Sequence, residues 1–202
     1  MPYKSDKGFI LASGSPRRRV LLKRIIDNFE VIPADVDETI ENGSDPMNAV
    51  MQLAARKGRC VAQSNKDDVV IAADTIVVCD GVILGKPSDE DDAARMLSML
   101  SGREHTVITG VYIGCDSVEH IFAQCTSVVF KRLGRFRIKR YIKTGEPMDK
   151  AGSYGYQGKG GRLVKTISGD ADNVIGLPVA GLEKRLLQLG LIHSDRDGKE
   201  NN

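Results

Sequence analysis

The run VVIAADTIVV, residues 69–78, constrains the fold most, because so long an apolar segment must be buried. Its β-branched residues predict a central strand, and Asp80-Gly81 predicts a hairpin turn that returns through residues 82–84. Asp74 interrupts the run. A carboxylate buried in a strand is costly unless a metal, a cation or a catalytic role compensates. Asp74 therefore either has such a partner or marks a strand end or bulge.

Hydrophobic periodicity and capping signals predict the other elements. Helices are expected over residues 16–27, from Ser44-Asp45-Pro46 onward, and over 88–100, 135–143 and 178–189. Strands are expected over residues 9–12, 29–32, 105–115 and 120–130. Ser15 and Ser88 are the predicted starts of the first and third helices, since serine is a preferred N-cap residue.

The 202 residues are 41% hydrophobic and 28% charged, which is typical of one globular domain or of two small lobes around one core. We predict a single domain over residues 1–192 and a polar, disordered tail over 193–202. A net charge of +2 argues against a protein that coats nucleic acid, so no nucleic-acid partner is expected. The absence of a long apolar stretch predicts a cytoplasmic protein with no membrane partner.

The cysteines and histidines form no metal-binding pattern. The four cysteines include no C-x-x-C pair and are expected to be buried thiols, not zinc ligands or disulfides. The three histidines, His105, His120 and His193, lie far apart in the sequence and are expected to be structural or solvated.

Three consecutive arginines, residues 17–19, follow a Ser-Gly-Ser turn in the stretch LASGSPRRRV. They fall in the predicted first helical turn, where the positive end of the helix dipole disfavours cations. A bound phosphate would relieve this conflict, because free backbone N–H groups and guanidinium groups could all contact it. Alternatively, the stretch is a solvated basic turn. The sequence contains neither a complete P-loop nor a G-x-G-x-x-G motif after a strand, so neither a Walker-type ATPase nor a Rossmann enzyme is supported.

Three further features could complete a site for a phosphorylated ligand. Glu38, in an acidic loop, could hold a hard cation together with Asp74, and Lys86, after the hairpin, could neutralise phosphate charge. The glycine-rich segment DKAGSYGYQGKGG, residues 149–161, could fold around a small planar ligand. Within it, Gln157 offers an amide that suits the N3–H and carbonyl edge of uracil or thymine. The plainer alternatives are a solvated acid for Glu38 and a flexible hairpin loop for the glycine-rich segment.

Seven motifs occur in the order found in the Maf family of nucleotide pyrophosphatases: SGSPRR, VDET, AADTIVV, GKP, SGREHTVITGV, DKAGSYGYQGKGG and NVIGLP. The chain resembles this family from about residue 9 to residue 189. The resemblance implies an α/β fold of two lobes around a twisted mixed sheet with flanking helices, similar to inosine triphosphatases, with a cleft between the lobes. It also implies hydrolysis of nucleoside triphosphates to the monophosphate and pyrophosphate, a divalent metal (Mg²⁺ or Mn²⁺) as cofactor, and a homodimer.

The resemblance also assigns roles to individual residues. Asp74 and Lys86 would be catalytic, and Glu38 and Asp74 would hold the metal. The substrate would be bound by Ser13, Arg17, Arg18, Lys57, Thr75 and Gln157. The stretch ARKGR around Lys57 departs from the family's usual AREKA, although the lysine itself aligns.

Arg17 and Gln157 indicate the branch of the family. The 7-methyl-GTP branch has an aromatic residue after SP and lacks the glutamine, so the chain resembles the dTTP/UTP branch. Two alternatives stay open at this point: a 7-methyl-GTP pyrophosphatase, and a non-catalytic regulator of cell division that binds nucleotide or nucleic acid. For the enzyme, we hypothesise that Asp74 deprotonates the attacking water, or holds a metal that presents it.

Overall fold

The structure is a computed structural model that describes residues 3–40, 44–116 and 118–194. The strands are β1 Tyr3–Lys4, β2 Phe9–Leu11, β3 Glu30–Val31, β4 Val69–Cys79, β5 Val82–Leu84, β6 Glu104–Cys115, β7 Val118–Phe130, β8 Val164–Ser168 and β9 His193–Ser194. The α-helices are α1 Pro16–Leu22, α2 Pro46–Ala62, α3 Glu90–Leu100, α4 Arg135–Ile142, α5 Ala171–Ile175 and α6 Val179–Gln188. Within the described part of the chain, none of the helices is long and apolar enough to span a membrane.

Most of the strands form one mixed sheet in the order β3-β2-β4-β6-β7-β8, with β5 paired to β4. Strand β2 is parallel to both β3 and β4, whereas β5 is antiparallel to β4 and β8 is antiparallel to β7. The predicted α/β class with a mixed sheet is therefore confirmed. Strands β1 and β9 pair with each other in a separate two-stranded sheet.

The chain divides into two compact units. The first consists of Met1–Asp74, Gly110–Gln124 and Gly176–Asn202, and the second of Thr75–Thr109 and Cys125–Ile175. Strands β4, β6 and β7 each contribute residues to both units.

In the first unit, helix α2 packs closely against strand β6. A Cβ atom on Gly58 would lie 2.0 Å from Tyr112 Cδ1, and one on Gly110 would lie 2.5 Å from the Val50 carbonyl oxygen. Only glycine allows such close approach, so these two positions bring the helix and the strand together. The buried cluster around this contact comprises Ile10, Ala12, Ala54, Ala55, Val61, Val70, Ala72 and Tyr112.

In the second unit, helices α3 and α4 bury apolar residues with those of the neighbouring strands. The cluster includes Met96, Leu97, Leu100, Val107, Val128, Phe130, Ile138, Tyr141 and Tyr154. The predicted hairpin between β4 and β5 is confirmed. Its turn residues Asp80 and Gly81 both have positive φ, 50° and 77°, as a two-residue hairpin turn of this kind requires.

Several predicted boundaries differ from the structure. Helix α1 ends at Leu22 and not at Asp27, because the chain tightens into i→i−3 turns in which Arg24 N bonds Leu21 O at 3.1 Å. Helix α3 is capped by Asp89 and not by Ser88; the Asp89 carboxylate accepts a hydrogen bond of 2.7 Å from the Asp92 amide. Strands β1, β8 and β9 and helix α5 were not predicted.

The predicted tail and the cysteines also need correction. His193 and Ser194 form β9, and the rest of the predicted tail, residues 195–202, lies outside the described residues. Of the four free cysteines, only Cys79 is buried, so the prediction of buried thiols is wrong for the exposed Cys60 and Cys125. Cys60 lies on the outer face of α2, three positions from Lys57, which is on the buried face.

Candidate active site

Lys57 lies between two carboxylates. Its Nζ is 2.5 Å from Asp74 Oδ1 and 2.6 Å from Glu38 Oε1, and the whole residue is only 7% exposed. Asp74 is the sixth of eleven residues of β4, so the alternative of a strand end does not hold. The carboxylate that interrupts the apolar run is instead compensated by a buried cation.

The sequence of α2 explains why a lysine reaches this place. Asp45 caps the helix by accepting a 2.9 Å hydrogen bond from the Asn48 amide, and Pro46 occupies the first turn, as predicted. The buried face then includes Val50, Leu53, Ala54, Lys57 and Val61, at helical spacing. Lys57 is buried on this face, and its ammonium group ends at Asp74.

The loop that carries Glu38 is organised by its neighbours in the VDET motif. Asp37 Oδ1 accepts hydrogen bonds from the Thr39 amide at 2.9 Å and from its hydroxyl at 2.6 Å. Arg56 on α2 donates to the Asp37 carbonyl oxygen. The two bonds from Thr39 lower the pKa of Asp37. These contacts hold the backbone on both sides of Glu38, whose side chain is 44% exposed.

Arg18 is fixed by hydrogen bonds from its guanidinium group. Nε donates to the Gly176 carbonyl oxygen at 2.8 Å, and Nη1 donates to Ser13 Oγ at 3.2 Å. Burial lowers the pKa of Arg18, while the negative charges of Asp74 and Glu38 act in the opposite direction. Arg18 therefore lies within electrostatic reach of both carboxylates.

The three arginines at the start of α1 have different environments. Ser15 caps the helix, since its Oγ accepts from the Arg18 amide at 3.4 Å, which confirms the predicted cap. Arg19 is exposed, as the solvated-turn alternative requires, whereas Arg17 and Arg18 are partly buried. Three residues of this stretch are predicted to bind substrate: Ser13, Arg17 and Arg18. Two of them, Ser13 and Arg18, are directly hydrogen-bonded to each other.

Thr75 belongs to a buried hydroxyl network in the second unit. Its Oγ1 is 2.9 Å from Thr109 Oγ1, and Thr109 donates to the Asn173 carbonyl oxygen at 3.0 Å. Thr109 has a single hydroxyl proton, so Thr75 is the donor in the first of these bonds. Asn173, fully buried, donates from Nδ2 to the Val107 carbonyl at 3.1 Å and to Thr126 Oγ1 at 2.9 Å. Residues 74 and 75 point to opposite faces of a strand, so this network anchors β4 beside Asp74.

Lys86 and Gln157 also belong to the second unit and are both exposed. The Gly152 amide donates to the Gly85 carbonyl oxygen at 3.0 Å, which joins the turn before Lys86 to the glycine-rich segment. That segment is not a flexible hairpin loop, since it forms the short 3₁₀ helices Ala151–Ser153 and Lys159–Leu163.

Two residues that organise the glycine-rich segment were missed in the sequence. Tyr141 and Glu146 accept hydrogen bonds from its backbone, from Gly155, Lys159 and Gly160. The one sequence signal for such a role was that Glu146 lies in a short polar stretch before the glycines. Periodicity cannot show that a side chain accepts hydrogen bonds from a loop.

His105 is structural, as predicted. It is 3% exposed, its Nε2 is 2.9 Å from Tyr154 Oη, and its ring packs edge-on against Phe130. Burial lowers the pKa of His105 to about 4. Among residues 3–40, 44–116 and 118–194, no group of three or more His, Cys, Asp or Glu side chains could hold a metal ion. The candidate metal ligands are the two carboxylates at Lys57.

Two carboxylates, a buried ammonium and a fixed guanidinium can together bind a polyanion and activate water. The ammonium and guanidinium groups can stabilise phosphate oxygens, and a carboxylate at the same place can take a proton from an attacking water. The fold and this cluster place the chain among mixed α/β proteins with a charged site suited to a phosphorylated substrate.

The chain belongs to the Maf-like protein family, whose model matches residues 8–189. It is 47% identical over 185 residues to a dTTP/UTP pyrophosphatase of Bacillus cereus (strain G9842), covering 92% of this chain and 97% of the relative. A dTTP/UTP pyrophosphatase of Koribacter versatilis (strain Ellin345) is 46% identical over 190 residues, covering 94% of this chain and 98% of the relative.

The fold is similar to that of a HAM1 protein from Coxiella burnetii. The TM-score is 0.51 at 14% sequence identity, covering 90% of this chain and 99% of that protein. This similarity agrees with the predicted mixed α/β architecture.

Proposed function

We propose that this chain is a dTTP/UTP pyrophosphatase that hydrolyses these nucleotides to the nucleoside monophosphate and pyrophosphate. Its membership of the Maf-like family and the names of its relatives support this function. The observation that carries the chemistry is the placement of Lys57 between Asp74 and Glu38.

In the proposed reaction, a water oxygen attacks the α-phosphorus. The bond from this oxygen to phosphorus forms, the bond from phosphorus to the bridging oxygen breaks, and pyrophosphate leaves. Asp74 accepts the proton that the water loses. Lys57 holds Asp74 in place, and the positive charges of Arg17 and Arg18 bind the triphosphate. Lys86 stays a predicted catalytic residue.

We assign a divalent cation, Mg²⁺ or Mn²⁺, to Glu38 and Asp74. The donor chemistry fits, because these carboxylate oxygens are hard ligands held by one ammonium group, and Mg²⁺ is commonly bound by one or two carboxylates and substrate phosphates. When bound, such an ion supplies charge stabilisation to the departing pyrophosphate. The homodimer implied by the family resemblance and the cytoplasmic location expected from the sequence remain part of this proposal.

The base is assigned to Gln157. Its amide can donate to a carbonyl oxygen and accept from the N3–H of uracil or thymine, a pattern that cytosine lacks because its N3 is an acceptor and its N4 an amino group. Thr75 stays a predicted specificity residue, and its place in the hydroxyl network also makes it an anchor of β4.

The test is pyrophosphate release from dTTP, UTP, CTP, GTP and 7-methyl-GTP, with Mg²⁺ or Mn²⁺ and with EDTA. Metal-dependent release that favours dTTP and UTP is expected. Asp74→Asn should abolish turnover and leave the chain folded, because it retains the size of the side chain and removes the proton acceptor. Asp80→Asn, at the exposed hairpin carboxylate paired with Arg103, is the matched control and should keep full activity.

The other outcomes of the same panel decide against the proposal. Preference for 7-methyl-GTP would move the chain to the other branch of the family. No release from any nucleotide by the folded protein, together with a salt-sensitive gel shift of DNA or RNA, would favour the non-catalytic regulator. Full activity in Asp74→Asn would remove Asp74 from the mechanism.

A further inference from the structure

The glycine-rich segment is held at two places by a pair of side chains. The Gly155 amide donates to Tyr141 Oη at 3.1 Å. The Lys159 amide donates to Glu146 Oε2 at 2.9 Å, and the Gly160 amide donates to Oε1 at 3.0 Å. Tyr141 Oη donates to Glu146 Oε1 at 2.9 Å and so joins the two side chains. We call this pair the Tyr141–Glu146 clamp.

Gln157 lies between the clamped positions. The Gly158 amide donates to the Gly155 carbonyl oxygen at 3.3 Å, which closes a four-residue turn with Gln157 as its third residue. The clamp holds the backbone at the first residue of this turn, Gly155, and directly after it, at Lys159. The backbone from which the exposed Gln157 side chain projects is therefore fixed by side chains outside the segment.

The segment fits closely against both members of the clamp. A Cβ atom on Gly158 would lie 2.5 Å from Glu146 Oε1, and one on Gly160 would lie 2.5 Å from Tyr141 Oη. The glycines at these positions are therefore required by the close approach of the backbone to the clamp. This close approach restricts the conformations open to the segment more than its glycine content alone would suggest.

The charge of Glu146 strengthens the clamp. Partial burial raises the pKa of Glu146. The hydrogen bonds from the Gly160 and Lys159 amides and from Tyr141 lower this pKa, and the net shift is downward. The side chain is therefore a carboxylate at neutral pH. Hydrogen bonds from amides to a carboxylate are stronger than those to a neutral acceptor.

The geometry points to Tyr141 and Glu146 as positioning residues that set base specificity by fixing the turn that carries Gln157. This inference rests on the proposed function, in which Gln157 reads the pyrimidine. Neither residue needs to contact the substrate. A loosened turn would let the Gln157 amide adopt several orientations, and a single orientation is what distinguishes a uracil or thymine edge from a cytosine edge.

The clamp itself can be tested without any substrate. Glu146→Gln retains the shape but presents an NH₂ group to one of the two amides, and Tyr141→Phe removes the oxygen that Gly155 uses. Hydrogen exchange of the Gly155, Lys159 and Gly160 amides should become about tenfold faster or more in these variants. Glu104→Gln is the matched control in the same unit, because its oxygen can still accept from Ser127 Oγ, and it should leave these amides unchanged. Unchanged exchange in both clamp variants would overturn the clamp.

The consequence for specificity is measured by kcat/KM for dTTP, UTP and CTP. Glu146→Gln and Tyr141→Phe should reduce the ratio of dTTP to CTP by about tenfold, mainly through the KM for dTTP, while Glu104→Gln keeps the ratio. Faster exchange with an unchanged ratio would reduce the clamp to a structural role and overturn the inference. If the unsubstituted chain turns over no nucleotide, the proposed function fails, and the exchange result still decides whether the clamp exists.

Discussion

The most informative single residue is the buried Lys57, because the contribution of an ion pair to stability depends on its burial. Arg59, two positions later on α2, also pairs with a carboxylate, Glu119, at 2.7 Å, but both side chains are at least one-third exposed. Exposed pairs of this kind contribute about 0–1 kcal/mol, because water and salt screen them. Removal of one partner from a buried pair leaves an uncompensated charge and costs several times more. Helix α2 therefore carries a buried cation at the candidate site, Lys57, and an exposed cation at the surface, Arg59.

His105 predicts a dependence of stability on pH. Burial lowers its pKa from 6.5 to about 4, so the unfolded chain binds a proton at this residue before the folded chain does. Stability should therefore fall as the pH decreases from about 6.5 to about 4, by an amount on the order of 3 kcal/mol from this group. His105→Gln removes the titration. Denaturant unfolding of the unsubstituted chain and the variant at pH 7, 5.5 and 4 measures the difference.

His120→Gln is the control for this measurement, because His120 is a partly exposed histidine of the same sheet. It should keep the pH dependence of the unsubstituted chain. An identical loss of stability with acid in His105→Gln would show that other groups, and not His105, are responsible.

At the scale of elements, local chemistry made the long segments predictable. The β-branched run fixed β4, the Asp-Gly turn fixed the hairpin, and Asp45-Pro46 fixed the start of α2. The end of α1 was not predictable in this way, because Ile25 and Ile26 remain buried after the helix has become a turn, so the apolar period continues past its end. Strand β8 is short and follows a segment dominated by glycine, which gives no periodic signal.

The candidate site was predictable where a residue conflicts with its local structure. Asp74 was such a conflict, but Lys57 was predicted only as a substrate-binding residue, through the family resemblance, and its pairing with Asp74 is seen in the structure alone. Tyr141 and Glu146, in contrast, are residue types that suit their local structure. Their role depends on hydrogen bonds to backbone amides up to 14 residues away in the sequence, which residue types alone do not reveal.

The contact between α2 and β6 predicts that a single methyl group disturbs the site. Gly58→Ala would place its Cβ 2.0 Å from the Tyr112 ring, so the helix must shift or the ring must move. We expect a loss of about 1–3 kcal/mol of stability from overpacking, and lower activity because Lys57 is the adjacent residue. Gly181→Ala, inside helix α6 where the added Cβ meets no atom closer than 3.6 Å, is the control and should lower neither quantity. Equal stability and activity in the two variants would contradict the close packing.

At the scale of the whole molecule, similarity of the fold must be distinguished from similarity of the functional site. The HAM1 protein from Coxiella burnetii shares this architecture at 14% identity, a level at which burial pattern and topology persist while most side chains differ. A fold of this kind can carry different chemistries, because function depends on particular residues placed on it. The relatives at 46–47% identity therefore carry more weight for the substrate than the shared architecture does.

Binding of the substrate should stabilise the whole chain in a way that does not depend on turnover. In Asp74→Asn, which is expected to be inactive, UTP or dTTP with Mg²⁺ should raise the unfolding free energy, because a ligand that binds only the folded state adds about 2.7 kcal/mol at a hundred times its Kd. For a chain of this size the corresponding rise in Tm is about 5–10 °C. Mg²⁺ alone and CTP with Mg²⁺ should give smaller shifts in the same thermal scan. A shift that is equal for CTP and UTP would contradict the assignment of Gln157 to the uracil or thymine edge, whereas a shift with UTP but no turnover in the unsubstituted chain would identify a nucleotide-binding protein that does not hydrolyse its ligand.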